Sequence, residues 1–151
     1  MGMVHTEITL KNAWDVGNAE KGLIQESKIR QTTVTALVDT GAGTLVISEE
    51  LRVQLGLAVK GLRQATFANE LKEVCKVTEP VEINWKNRFA TVNALVVPGS
   101  SEVLLGAIPL EDMDLIVDPA RQALTGAHGD DIVCLVKKST QWETKITPAA
   151  V

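Results

Sequence analysis

Cysteine and histidine are scarce in this sequence. Two of each stand among 151 residues: Cys75 and Cys134, His5 and His128. Two cysteines are too few for a disulfide scaffold. Their apolar neighbours Val74, Val133 and Leu135 put both in strands, as buried thiols. The histidines lie far apart in sequence and have no metal-ligand spacing, so no metal is expected. No run approaches the roughly 18 apolar residues of a transmembrane helix. Met1 to Leu10 lacks the basic start and apolar core of a signal peptide. A cytoplasmic protein that does not bind membranes is the expectation. Positive charge is also in deficit, with 15 Lys and Arg against 19 Asp and Glu. That balance argues against a nucleic-acid partner and against an anionic membrane surface.

What is present is the texture of a globular β protein. Hydrophobic residues make up 45% of the chain and charged residues 23%, enough to bury a core. The length suits one domain, taken here as residues 1–136, with 137–151 as a polar C-terminal tail. Short β-prone runs alternate with Gly, Pro and Asn. Val4–Leu10 has poorly separated faces and reads as an edge or interface strand. Lys11–Gly22 reads as turn-rich, with Gly17-Asn18 as a turn signal. Lys28–Val38 reads as one long strand, Val34, Ala36 and Val38 on one face and Thr33, Thr35 and Leu37 on the other.

A short helix is expected after Ser48, a good N-cap, with Glu49 and Glu50 in its first turn and Gly56 just past its end. Val59–Phe67 and Val74–Val77 read as the arms of a hairpin. Val81, Ile83 and Trp85 alternate with polar residues as a strand buried on one side. Phe89–Val97 returns after a turn at Lys86-Asn87. Val103-Leu104-Leu105-Gly106 is an apolar run closed by glycine, Leu115–Val117 and Ile132–Val136 are further strands, and Ile108–Met113 is a second short helix. Many strands against at most two short helices define an all-β class, closed or sandwich-like.

One segment stands out chemically. The strand ending at Val38 runs into Asp39-Thr40-Gly41-Ala42-Gly43-Thr44. A carboxylate at the end of an apolar strand is costly to bury without partners. Asp and Gly are also ordinary turn formers. Phosphate loops do not fit the glycines. A dinucleotide fingerprint would need a third glycine at Val46, and a Walker A loop would need a lysine before Thr44. Ser48 lacks a nucleophile elbow. Glu111, Asp112, Asp114 and Asp118 lack the central glycine of a calcium loop and read as a solvated face.

The run Ala36-Leu37-Val38-Asp39-Thr40-Gly41-Ala42 resembles the catalytic signature of aspartic peptidases. Ala42 makes it similar to the retroviral type rather than the two-lobed type. Leu104-Leu105-Gly106, followed by Ala107–Met113, is similar to the late apolar-glycine element of that family. The hairpin lies where the family carries its flap. The resemblance spans roughly Lys28–Leu124 and points to single-domain bacterial retropepsin-like peptidases.

The resemblance implies a closed β-barrel acting as a homodimer on polypeptide substrates, without a cofactor. It implies Asp39 as the catalytic residue of each subunit, supported by Thr40, Gly41 and Ala42. It also implies a substrate-covering flap tip at Phe67, Ala68, Asn69, Glu70 and Leu71. Two positions depart from the retroviral pattern. Ala107 stands where those members often have Arg, and the flap tip is poorer in glycine. A non-catalytic, dimeric peptide-binding module of the same fold is the alternative.

Overall fold

The structure is a computed structural model and describes residues 3–137. Its strands are β1 (Val4–Asn12), β2 (Gln31–Val38), β3 (Leu45–Ile47), β4 (Val59–Thr66), β5 (Lys72–Trp85), β6 (Arg88–Val96), β7 (Val103–Leu105), β8 (Leu115–Asp118) and β9 (Ala123–Gly126). Its helices are α1 (Ala13–Glu20), α2 (Glu49–Gln54) and α3 (Ala107–Asp112), with a single 3-10 turn at Glu26–Lys28.

Seven strands form one sheet in the order β1-β2-β7-β3-β6-β5-β4. β1 also pairs with the second half of β5, from Thr9↔Asn84 to Asn12↔Val81. That extra ladder closes six of the strands into a barrel and leaves β4 outside the ring. The all-β closed-barrel expectation is therefore met. β1 is a closing strand with partners on both sides, not an edge.

Apolar side chains from every barrel strand fill the interior. Ile8, Leu10, Leu45, Ile47, Ile83 and Leu105 are almost completely buried. Alternation along β6 buries Ala90, Ala94 and Val96 on one face. Leu51 and Leu55 bring α2 onto the same core. Ser48 caps α2 by accepting from the Leu51 amide at 3.1 Å, and Gly56 follows with φ +65°, as the sequence predicted.

β5 is one continuous strand where the sequence suggested two. Its register breaks between Val77 and Pro80. Proline supplies no ladder N–H, and such breaks bend a strand. Buried Thr78 satisfies the backbone there. Its hydroxyl accepts from the Ala94 amide at 3.0 Å, and its carbonyl accepts from Asn93 Nδ2 at 2.8 Å. Beyond the break, β4 and the first part of β5 leave the barrel as a hairpin. Its residues from Val59 to Val74 are exposed or half-buried.

Four expectations are corrected. Lys11–Gly22 holds a helix, α1, so the described residues contain three α-helices rather than one or two. Its cap is Asn12, whose Oδ1 accepts from the Trp14 and Asp15 amides at 3.1 Å each. The long second strand begins at Gln31, because Glu26–Lys28 form the 3-10 turn. Ile132–Val136 is not a strand, and β9 takes the pairing with β8 instead. Cys75 is buried, but Cys134 is exposed with that unpaired segment. The tail from 138 onward lies outside the described residues.

Candidate active site

The strand order places Asp39. The chain leaves β2 and returns as β3 with one strand position left open between them. β7 fills it, parallel to β2 and antiparallel to β3. The turn joining β2 to β3 therefore closes over the end of β7. The Asp39 amide donates to the Leu105 carbonyl at 3.0 Å. The Ala107 and Ile108 amides donate to the carbonyls of Ala42 and Gly43 at 2.8 and 3.1 Å. The two motifs of the sequence, 64 residues apart from Thr40 to Leu104 in numbering, are one hydrogen-bonded unit.

Gly106 is what lets the two segments meet. A Cβ there would strike the Thr44 carbonyl, with Ala42 O at 2.6 Å and Thr44 N at 2.8 Å. Within the turn, the Ala42 amide donates to the Asp39 carbonyl at 3.1 Å. The Gly41 amide donates to Asp39 Oδ1 at 2.9 Å. The carboxylate is thus oriented by its own turn, and its other oxygen is left available. Asp39 is half-buried and Thr40 is exposed beside it.

A cleft of about 570 Å³ opens at this turn. Asp39 and Thr40 form part of it, with Met3 and Val4 from the start of the chain and Leu37 and Val38 from β2. Val117, Pro119 and Gln122 of the β8–β9 hairpin complete it. Among these lining residues Asp39 alone is ionisable. An oriented carboxylate in apolar surroundings suits general acid–base work on a bound water.

Residues 26–107, more than half of the chain, match the aspartyl protease family. The chain belongs to that family. The match contains Asp39-Thr40-Gly41 and reaches the late motif Leu104-Leu105-Gly106. A crystal structure of a retropepsin-like aspartic protease from Rickettsia conorii is similar at 18% identity and a TM-score of 0.42. That similarity covers 78% of this chain and 89% of that one. No curated protein sequence matches this chain.

For this aspartyl protease family member, the structure gathers Asp39, Thr40, Gly41, Ala42, Leu105 and Gly106 at one point. The residues Phe67, Ala68, Asn69, Glu70 and Leu71 are the β4–β5 turn, and none of them lines the Asp39 cleft. The Glu70 amide donates to Phe67 O at 2.9 Å, and Glu70 takes φ +64°. That tight turn needs no glycine at its tip. Sequence reasoning missed Met3, Val4, Val117, Pro119 and Gln122. They are ordinary residues from both ends of the domain, and only the topology brings them to Asp39.

The acidic stretch is divided by the fold. Glu111 and Asp112 are exposed, as a solvated face would be. Asp114 is not. Its Oδ2 accepts from His128 Nδ1 at 2.8 Å and from the Val133 amide at 3.0 Å. The His128 hydrogen bond is the main cause holding its carboxyl below the usual range. Behind it lies Arg88, buried inside the protein. Its guanidinium donates to the carbonyls of Met113, Asp114 and Gly129 at 2.8, 2.7 and 2.5 Å. These bonds fix the root of the β8–β9 hairpin, whose far end walls the Asp39 cleft.

Proposed function

We propose that this protein is a homodimeric aspartic endopeptidase that hydrolyses peptide bonds of extended polypeptide segments. The observation that carries the reading is the Asp39 carboxylate, braced on one oxygen by Gly41 and open on the other, in a cleft with no second ionisable group. Hydrolysis of this kind needs two carboxylates around one water. The second comes from Asp39 of another copy, across a two-fold axis. One carboxylate takes the water's proton as its oxygen attacks the scissile carbonyl carbon. The other, protonated, hydrogen-bonds the carbonyl oxygen, and the proton taken from water later reaches the leaving amine.

Thr40, exposed at the axis, hydrogen-bonds across to the other subunit's turn. The β4–β5 hairpin, carrying Phe67 to Leu71, closes over the substrate. Two free thiols fit a reducing compartment, and the reading places the protein in the cytoplasm.

Two nearby carboxylates cannot both ionise cheaply, so the pair releases its protons in two steps. A bell-shaped rate profile is expected. Ala42 offers no hydroxyl to the carboxylate, which places the optimum in mildly acidic solution and not below about pH 3. The test is cleavage of a mixed peptide library across pH 4 to 7 by wild type and Asp39→Asn. The wild type cuts, and the variant loses activity by about 10³-fold or more. Peptide binding without cutting by either protein would favour the non-catalytic module.

A further inference from the structure

A row of side chains crosses the sheet from β2 to β4. Strand pairing sets Leu37 beside Leu104, Leu104 beside Val46, Val46 beside Leu95, Leu95 beside Val77, and Val77 beside Gly61. Their chain neighbours Ala36, Leu105, Leu45 and Val96 belong to the core, so the row lies on the opposite face. Leu37, Leu104, Leu95 and Val77 are half-buried there. Asp39 follows one end of the row, two residues beyond Leu37.

The other end opens into a groove of about 260 Å³, lined by Lys60, Gly61, Leu62, Arg63, Val77 and Asn93. Lys60 and Arg63 are the ionisable residues of that lining, and both are exposed. The groove is therefore basic in a chain of net charge −4. Arg63 forms no ion pair among the described residues. Glu73, diagonal to it on the ladder, opposes Ala65. The Lys60 ammonium lies over the Trp14 ring, 5.9 Å from its centre, a contact that leaves its charge unneutralised. The backbone also departs from a plain ladder here. The β4–β5 register shifts between Val59 and Gly61, so Lys60 has no partner on β5. Such irregularities re-aim side chains. Gly61 leaves the groove open, since a Cβ there would meet nothing within 4 Å.

We propose that the groove between Lys60 and Arg63 is a subsite for an Asp or Glu side chain of the polypeptide being cut. The inference rests on the peptidase reading, which fixes the scissile bond at Asp39. Neighbouring strands lie about 4.8 Å apart, and an extended chain advances about 3.3 Å per residue. The four strand steps from β2 to β5 span roughly 19 Å, or about five or six residues of substrate. Over that stretch the row offers apolar side chains and no charge. At its end Arg63 can hold a carboxylate through two parallel N–H bonds, with Lys60 as a second cation. In a two-fold dimer each chain brings one groove, so the preference falls on both sides of the cut.

The test has two arms. In the first, Asp39→Asn protein is titrated with a fluorescent peptide carrying Glu near both ends, and with its Gln counterpart. The Glu peptide is expected to bind about 10-fold more tightly, by a margin that shrinks with added salt. Lys60→Gln combined with Arg63→Gln removes the margin, and Arg63→Lys restores part of it. Circular dichroism and thermal melting check the fold of each variant. In the second arm the wild type cuts a mixed peptide library, and mass spectrometry places each cut. Asp and Glu are enriched about five or six residues from the cut bond, and the double variant loses that enrichment. Equal binding of the two peptides would overturn the subsite, as would an acidic preference that survives in the double variant, or cuts with no acidic enrichment. Acid-selective binding that the double variant loses, with no cutting by the wild type, would uphold the groove while ending the peptidase reading.

Discussion

Gly106→Ala puts a methyl group against the backbone of residues 42–44, where no rotamer change can relieve the contact. The β7 end and the Asp39 turn must then separate. We expect a loss of about 3 kcal/mol, read as a lower urea midpoint, with peptidase activity lost even where folded protein remains. Gly41 is a milder case. A Cβ there would lie 3.1 Å from Asp39 Oδ1, so substitution perturbs the carboxylate more than the fold. Asp39 and Gly41 stood out in the sequence as a carboxylate between an apolar strand and a glycine turn, whereas Gly106 stood out only through the family resemblance. The cleft walls were not. Met3 and Pro119 have no distinctive chemistry, and their position depends on long-range pairing.

Among the elements, α1 shows why local pattern failed. Gly17-Asn18 reads as a turn, and Trp14 stays exposed, so no apolar stripe marks a helix. Tertiary bonds hold it instead. The Asn12 cap also donates to Leu55 O at 3.0 Å, and Asp15 grips Arg30 through Oδ2 at 2.8 Å and Oδ1 at 2.9 Å. The Arg30 hydrogen bond is the main cause lowering the Asp15 pKa. A carboxyl depressed in the folded state stabilises fully above its unfolded pKa, about 4, and loses that effect as pH falls through the lower folded value. Asp15→Asn is therefore expected to cost about 1–2 kcal/mol at neutral pH, by urea denaturation. The gap between variant and wild type narrows as acid protonates the wild-type carboxyl.

The Ile132–Val136 segment failed in the opposite sense. It has β-prone side chains, but the Val133 amide bonds the Asp114 carboxylate and no strand pairs with it among the described residues. Propensity alone does not make a strand without a ladder partner.

At the scale of the molecule, closure divides the protein into two mechanical parts. Ile8, Leu10 and Ile83 belong to strands paired on both sides within the ring. Leu62 to Thr66 belong to β4, which among the described residues has β5 alone as a partner and little buried surface. Local opening should follow that division. Hydrogen exchange is expected to give opening free energies for β4 at least about 2 kcal/mol below those of the ring strands. Equal protection throughout would mean that the hairpin is held by something beyond its own ladder.

The interlock between the β2–β3 turn and the start of α3 also sets an order of events during synthesis. A growing chain carries Asp39-Thr40-Gly41 long before it carries residues 105–108. Until those emerge, the Asp39 amide and the carbonyls of Ala42 and Gly43 lack the partners they have in the folded protein. The bonds within the turn, from Gly41 and Ala42 to Asp39, can form earlier, but its interlock with α3 waits for the late residues. Any chemistry of Asp39 that depends on those bonds is withheld from the nascent polypeptide until the late motif has emerged.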